Sequence, residues 1–303
     1  MRRALVAATL VGLALTACGG PPAPTVTRPS PSAIIVGSFN FPESEILAEI
    51  YGQALRQAGY PVRILPNLGT RELVEPALAQ GFVTMVPEYV GSALDFVSLG
   101  ATAPSPDPAI TRRALASALA SWGAEPLSAA PAQDANAIVV TRDTAQKYGL
   151  RTISDLAPIA SHLIFGGPPE CPQRPFCLKG LEDRYGLTFA RFQPLDAGGP
   201  LTVQELEAGQ IDVALLFTTD PHLRNLVVLR DDRRLQPAEN VIPIVRRQVL
   251  ARYGPQLTVL VDRVSSRITT SELQALVGRV VLSGQTAAAV AARWLAGQGL
   301  VSA

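Results

Sequence analysis

The sequence predicts an α/β protein of two similar lobes with a ligand cleft between them. Short apolar strands alternate with helical patterns from residue 34 to 141, which is typical of parallel sheets covered by helices. The same alternation restarts near residue 144, and two segments, 76–86 and 204–214, echo one another. Each of the two combines a helix end, a glycine and a strand that leads to a polar tip. Because ligands of open α/β sheets gather at the carboxyl ends of strands, facing tips predict a cleft.

The first lobe is expected to begin with a strand at 34–38 and a helix at 42–58, whose apolar residues recur at helical spacing. Pro42 suits the first turn of that helix, and Gly59 suits its end. The elements that we expect next are strands at 62–65, 83–87 and 137–141 and helices at 71–80 and 108–122.

The second lobe repeats this order of elements. We expect helices at 144–148, 153–156, 178–185 and 202–208 and strands at 162–165, 192–195 and 211–217. After a strand at 241–246, the chain ends in helical patterns at 248–253, 255–264, 271–281 and 286–297. We expect this helical end to fold back on the first lobe. The prediction is therefore a first lobe of residues 34–138 and 243–303 and a second lobe of residues 139–242.

The first eighteen residues have the proportions of a bacterial lipoprotein signal peptide. Two arginines precede an uncharged run, Ala4 to Thr16, that is too short to span a bilayer comfortably. The run leads into Leu15-Thr16-Ala17-Cys18, which resembles the lipobox, whose cysteine is lipidated and becomes the mature N-terminus. We expect residues 1–18 to be the signal and the proline-rich residues 19–33 to be a flexible tether. The alternative is a plain secretory signal with an incidental cysteine.

Composition and charge exclude several classes of function. The 303 residues are 48% hydrophobic and 17% charged, with a formal net charge of +1, which argues against a nucleic-acid partner. There are two histidines, and the serine-hydrolase, zinc-protease and phosphate-loop motifs are absent from the sequence. This small inventory of reactive groups disfavours an enzyme without excluding one, and we predict no enzymatic activity, no catalytic residue, no metal and no cofactor.

The three cysteines of the chain have two predicted uses. Cys18 is the lipid anchor, and Cys171 and Cys177 most simply form a disulfide in an exported domain. Closing a loop of this length contributes roughly 2.4 kcal/mol in the chain-entropy model. A redox-active pair is the alternative, although the spacing is not Cys-x-x-Cys.

An ordered series of short motifs resembles the glycine betaine/choline-type substrate-binding proteins of ABC importers. Each motif is weak alone, but the series is specific and extends over residues 34 to 300. The motifs are Val36-Gly-Ser-Phe-Asn-Phe-Pro-Glu43, Asn67-Leu-Gly-Thr-Arg-Glu72, Pro87-Glu-Tyr-Val-Gly91, Thr152-Ile-Ser-Asp-Leu156, Arg174 with Gly180-Leu181, and Phe217-Thr-Thr-Asp220.

The resemblance implies a type II periplasmic-binding-protein fold, in which two lobes joined by hinge strands close over a solute. It further implies an extracytoplasmic, lipid-anchored monomer that delivers a small-molecule solute to an ABC permease with its ATPase. The implied solute is a quaternary-amine osmolyte such as glycine betaine or choline. A sensor or an enzyme of the same fold remains an alternative.

The resemblance also implies a cage of tyrosines, because aromatic faces attract a quaternary ammonium ion that cannot donate hydrogen bonds. Tyr89 is at the matching position, with a tyrosine that packs on the lobe as the alternative. Phe217 stands where a tyrosine is expected. The segments 133–137 and 237–240 contain no aromatic residue, and Asp134 could offset a cation directly. This thinned cage leaves a non-betaine solute, such as an amino acid or a polyol, as a second possibility.

Arg174 is the candidate for a solute carboxylate, because the guanidinium group binds carboxylates bidentately. A salt bridge with Glu170 or Asp220 is its alternative use. The other candidate binding residues, all near predicted strand ends or helix starts, are Asn40, Phe41, Thr70, Arg71, Thr218 and Thr219.

Overall fold

The computed structural model describes residues 33–300. The predicted signal peptide and tether, including Cys18, lie outside the described residues apart from Ala33. Within the described part of the chain, no helix has both the length and the apolar character that crossing a membrane requires. Two five-stranded sheets organise the molecule, one in each lobe.

The first sheet has the strand order β2-β1-β3-β10-β4. Strands β1 (Ile34–Gly37), β2 (Val62–Leu65) and β3 (Met85–Tyr89) are parallel, and β10 (Val241–Arg246) runs antiparallel to β3 and to β4 (Ala124–Pro126). The helices of this lobe are α1 (Pro42–Gln57), α2 (Arg71–Gln80), α3 (Val90–Val97), α4 (Pro108–Ala118), α8 (Arg247–Tyr253), α9 (Pro255–Ser265), α10 (Thr270–Val281) and α11 (Ala287–Gly297).

The second sheet has the order β7-β6-β8-β5-β9 and repeats the pattern of the first. Its strands are β5 (Asn136–Val140), β6 (Ile164–Gly167), β7 (Arg191–Pro194), β8 (Val213–Phe217) and β9 (Val227–Val228). Strand β6 is parallel to β7 and β8, and β5 is antiparallel to β8 and β9. The helices are α5 (Arg142–Tyr148), α6 (Leu178–Tyr185) and α7 (Pro200–Glu207), with short 3₁₀ turns between them.

The chain crosses between the sheets twice, and each crossing leads into an antiparallel strand. One crossing ends at β5 and the other at β10, and a bridge between Gln133 and Asn240 joins the two crossings side by side. Strand β5 starts at Asn136 and strand β10 at Val241. The lobe boundaries that the sequence predicts, after residue 138 and after residue 242, therefore fall inside these two strands. The crossings are the segments that can bend if the lobes move.

The largest apolar core lies in the first lobe around α1. Tyr51 of this helix is fully buried, and its hydroxyl is 2.9 Å from the hydroxyl of Ser265 on α9. Helices α9, α10 and α11 all pack against α1, so the helical end folds back on the first lobe as expected.

Several local predictions differ from the structure. The third strand occupies 85–89 where 83–87 was expected, and the strand expected at 162–165 occupies 164–167. Helix α3 and strands β4 and β9 were not predicted. Helix α10 was expected to start at Ser271 and starts one residue earlier, at Thr270. The reason is that the Thr269 side chain caps the helix by accepting a hydrogen bond from the Glu272 amide.

The predicted disulfide between Cys171 and Cys177 is confirmed. Both cysteines are buried, and the bond closes a loop between β6 and α6 on the cleft side of the second lobe.

Candidate functional site

A cavity of about 110 Å³ lies between the lobes, where β1, β3 and β8 end. Eight of the ten predicted binding residues line it: Asn40, Phe41, Thr70, Arg71, Tyr89, Asp134, Arg174 and Phe217. The other two, Thr218 and Thr219, do not line the cavity but hold Asp134 in place. The Thr218 hydroxyl and the Thr219 amide both donate hydrogen bonds to the Asp134 carboxylate. A cavity of this size suits a small solute.

Aromatic rings from both lobes meet at one side of the cavity. The ring centroid of Phe41, at the start of α1, lies 6.2 Å from that of Tyr89 and 5.4 Å from that of Phe217. Phe39 stacks on Phe41 at 5.9 Å. At these distances the rings contact one another directly, so a ligand cation cannot lie between them. It must lie against the ring surfaces that face the cavity.

A buried pair of carboxyl groups stands beside this aromatic wall. The Glu43 carboxylate accepts hydrogen bonds from the Tyr89 hydroxyl, at 2.7 Å, and from the Thr219 hydroxyl of the second lobe. Asp134, in the first crossing, accepts the Thr219 amide at 2.9 Å. Burial and the proximity of the two groups raise the pKa of Asp134 well above its ordinary value, and burial raises the pKa of Glu43. A cation in the cavity would stabilise the ionised form of this pair.

Arg71 is already paired inside the first lobe. Its Nε and Nη2 atoms lie 2.5 Å and 2.9 Å from the two carboxylate oxygens of Glu88, which is fully buried next to Tyr89. Burial opposes the charge of Arg71, but the Glu88 carboxylate outweighs burial and raises the pKa of the guanidinium group. Its guanidinium carbon also lies 5.2 Å from the ring centroid of Phe39. Arg71 therefore shapes the cavity wall more than it offers free donors.

Arg174 reaches from the second lobe to the first. Its Nη2 atom lies 2.8 Å from Glu72 at the start of α2 and 4.0 Å from Glu170. Of the two salt bridges considered from the sequence, the contact with Glu170 is at the limit of an ion pair, and Asp220 pairs with His222. Arg174 lines the cavity, and its Nε atom is buried without a hydrogen-bond partner. A turn of the side chain toward the cavity would present this donor to a solute carboxylate or hydroxyl.

Several residues of the cavity wall were not predicted to bind the solute, including Ser92, Asn136, Phe176 and Glu239. Glu239 lies in the segment 237–240, in which the sequence shows no aromatic residue. The Glu239 carboxylate accepts the amides of Gly91 and Ser92, both at 3.1 Å, and burial raises its pKa to about 7. Phe176 belongs to the disulfide loop, and its neighbours in the sequence gave no signal that its ring faces the cleft.

The cavity wall combines aromatic faces with more buried carboxyl groups than buried arginines. Such a surface suits a diffuse cation, since ring faces attract it and carboxylates offset its charge. Within the described residues, no group of three or more histidine, cysteine, aspartate or glutamate side chains is arranged to hold a metal ion.

Two α/β lobes, two crossings and a cavity in the cleft between the lobes define a solute-binding protein of the periplasmic type. Solved structures agree with this class. A crystal structure of a glycine betaine/carnitine/choline ABC transporter protein superposes with a TM-score of 0.69 at 24% identity and covers 88% of this chain and 99% of the other. The ligand-free YehZ of Escherichia coli gives a TM-score of 0.63 at 26% identity, over 89% of this chain and all of that one.

The family follows from the sequence match. Residues 32–297 match the family described as the substrate-binding domain of the ABC-type glycine betaine transport system, and the chain belongs to this family. A glycine-betaine-binding protein of Pseudomonas aeruginosa is 31% identical over 274 residues, 86% of each chain. A carnitine transport binding protein of Listeria monocytogenes is 28% identical over 258 residues, 82% of this chain and 80% of that one.

Proposed function

We propose that this protein traps a quaternary ammonium solute, such as glycine betaine or choline, between its lobes and delivers it to the permease of an ABC importer. The observation that carries the proposal is the aromatic wall formed by Phe41, Tyr89 and Phe217 from both lobes, beside the buried Glu43 and Asp134 pair. The named ligands of the relatives support the same solute class. An amino acid or polyol is not favoured, since neither needs an aromatic wall beside buried carboxyl groups.

The proposed solute fits the cavity with its cation toward Asp134 and the ring surfaces. A carboxylate or hydroxyl at its other end would reach the Nε atom of Arg174, whose buried position gives it no other acceptor. This orientation places each end of the solute next to groups of complementary charge.

We propose a cellular setting that agrees with the transport role. The protein is exported, its lipobox cysteine Cys18 carries the lipid, and residues 19–33 tether the lobes outside the cytoplasm. It acts as a monomer and has no enzymatic activity of its own, because its part in transport is to close over a solute and to dock on the permease.

Titration calorimetry of the purified protein with choline, glycine betaine, carnitine, proline and serine tests the proposed solute class. We expect binding of at least one quaternary amine and none of serine. Tyr89→Ala should weaken this binding at least tenfold, because it removes a desolvated ring face. Tyr89→Phe keeps the ring and should retain most of the affinity.

Tyr148→Ala is the matched control, since Tyr148 is an exposed tyrosine far from the cavity lining. Binding of serine or proline with no response to any quaternary amine would refute the proposed solute class. Quaternary-amine binding that survives Tyr89→Ala unchanged would instead refute the site.

A further inference from the structure

The loop closed by the Cys171–Cys177 disulfide forms part of the cavity wall, and the sequence motifs include its Arg174 but not its Phe176. We propose that Phe176 in this loop contacts the ammonium group of the solute, and that the disulfide is needed to hold the ring in place. The proposal rests on the proposed function, because it presupposes a quaternary ammonium ligand.

Phe176 stands at the border between two cavities. It lines the inner cavity and also a second, more open cavity of about 430 Å³ toward the outside of the cleft. Ser92, Glu170 and Arg174 are the other residues that the two cavities share. A half-buried ring at this border can touch a solute in the inner cavity and shield it from water.

The backbone of Phe176 is fixed to both crossings between the lobes. Its carbonyl oxygen accepts hydrogen bonds from Asn136 Nδ2 at 2.9 Å and from Gln236 Nε2 at 3.0 Å. Asn136 is the first residue after one crossing, and Gln236 lies just before β10 in the other. The position of Phe176 therefore depends on the conformation of the two crossings between the lobes.

The rest of the loop leaves Phe176 little freedom. The two cysteines are 0% and 2% exposed, and the disulfide between them fixes the loop ends. Helix α6 packs closely on the residue before Phe176: a side chain at Gly180 would bring its Cβ within 1.9 Å of the Pro175 carbonyl oxygen. Such a loop presents its ring without a large entropy cost on binding.

The chemistry of the cavity gives this ring a use. The segments 133–137 and 237–240 bring no aromatic side chain, so the second lobe otherwise offers Phe217 alone among the described rings that line the cavity. A desolvated ring next to an ammonium group is worth about a factor of ten in affinity. Phe176 supplies a second ring from that lobe.

Choline and its uncharged carbon isostere, 3,3-dimethylbutan-1-ol, separate a cation–ring contact from simple packing. We expect Phe176→Leu to weaken choline binding about tenfold with a smaller effect on the isostere, and Phe176→Trp to restore choline binding. Phe192→Leu is the control, since Phe192 is also half-buried in the second lobe but lies outside the inner cavity.

The disulfide is tested by replacing both cysteines, Cys171→Ser with Cys177→Ser, and by adding a non-thiol reductant to the unaltered protein. Both should weaken choline binding, and the double replacement should add little to Phe176→Leu, because the two changes act through one ring. Equal losses for choline and the isostere in Phe176→Leu, or full additivity with the cysteine changes, would overturn the proposal.

Binding measurements distinguish a wrong solute class from a wrong role of Phe176. A protein that binds none of choline, glycine betaine and carnitine would overturn both the proposed function and the role of Phe176. A protein that binds choline equally well with and without the Phe176 ring would overturn the role of Phe176 alone.

Discussion

The buried carboxyl groups around the cavity differ in how their lost hydration is replaced. Glu43, Glu88, Asp134 and Glu239 each accept at least one hydrogen bond from an amide, a hydroxyl or a guanidinium group. Glu75 on α2 is equally buried, but neither of its carboxyl oxygens accepts a hydrogen bond from an amide, a hydroxyl or a guanidinium group, and its neighbour is another carboxyl, that of Glu88. Burial and the neighbouring Glu88 charge raise the pKa of Glu75 well above its ordinary value.

This raised pKa predicts that Glu75→Gln stabilises the protein near neutral pH. A carboxyl with a raised pKa in the folded protein keeps its proton to a higher pH than it does in the unfolded chain. The folded state therefore loses stability progressively as the pH rises above the pKa of the unfolded chain. Glutamine has no proton to lose. We expect a gain of about 1 kcal/mol in the free energy of unfolding at pH 7.5, the scale of an unpaired buried polar group.

Urea unfolding at pH 4.5, 6 and 7.5 measures this difference. The advantage of Glu75→Gln should be smallest at pH 4.5 and should grow toward pH 7.5. Glu207→Gln, at the exposed end of α7, is the control for the substitution itself. A variant that is less stable than the parent at every pH would contradict the role of Glu75 as an unpaired acid.

Helix α3 shows how an element can depend on a distant segment. It follows β3 directly, and its N-cap residue, Tyr89, makes no side-chain capping bond. The cap comes from Glu239 in the second crossing, whose carboxylate accepts the Gly91 and Ser92 amides and the Ser92 hydroxyl, the last at 2.5 Å. These hydrogen bonds fix the start of α3 to the second crossing between the lobes.

Removal of this distant cap should cost stability. Glu239→Ala leaves the first amides of α3 unpaired in a buried place, and we expect a loss of about 1–2 kcal/mol in the free energy of unfolding. Glu239→Gln keeps an acceptor oxygen and should lose less. Chemical denaturation at pH 8, above the Glu239 pKa of about 7, gives the comparison. Equal losses in both variants would show that the carboxamide cannot replace the cap.

The same dependence explains what the sequence predicted and what it did not. Helix α1 carries its own apolar period and its own Pro42 start, so its bounds were predicted to within one residue. Helix α3 has no local start signal, because its cap lies 148 residues away. Strand β4 is only three residues long, and among the described strands it pairs with β10 alone. Elements specified by local residues were found, and those specified by remote contacts were missed.

The cavity follows the same rule. Asn40, Tyr89 and Phe217 lie in contiguous motifs next to strand ends, and these the sequence could identify. Phe176 and Glu239 owe their positions to a disulfide loop and to a crossing, and no local pattern reports how such segments pack. The pairing of Arg174 with Glu72 also spans 102 residues and both lobes.

At the scale of the whole molecule, contacts between the lobes enclose the cavity. The Thr219 hydroxyl of the second lobe donates to Glu43 of the first, and Gln274 Nε2 on α10 donates to the Thr218 carbonyl at 3.1 Å. The ion pair of Arg174 with Glu72 closes the cleft at the border of the outer cavity. These contacts therefore join the two lobes across the cleft that holds the cavity.

Because the ion pair of Arg174 with Glu72 joins the two lobes, its removal should act on solute release more than on stability. Glu72 is 47% exposed, so the pair contributes at most about 1 kcal/mol. We expect Glu72→Gln to leave the melting temperature within about two degrees and to speed choline dissociation up to about fivefold, measured by stopped-flow fluorescence. Asp183→Asn breaks a more exposed pair with Lys179 that lies within the second lobe, and it should leave release unchanged. Equal release rates in Glu72→Gln and the unaltered protein would mean that the remaining contacts alone hold the lobes together.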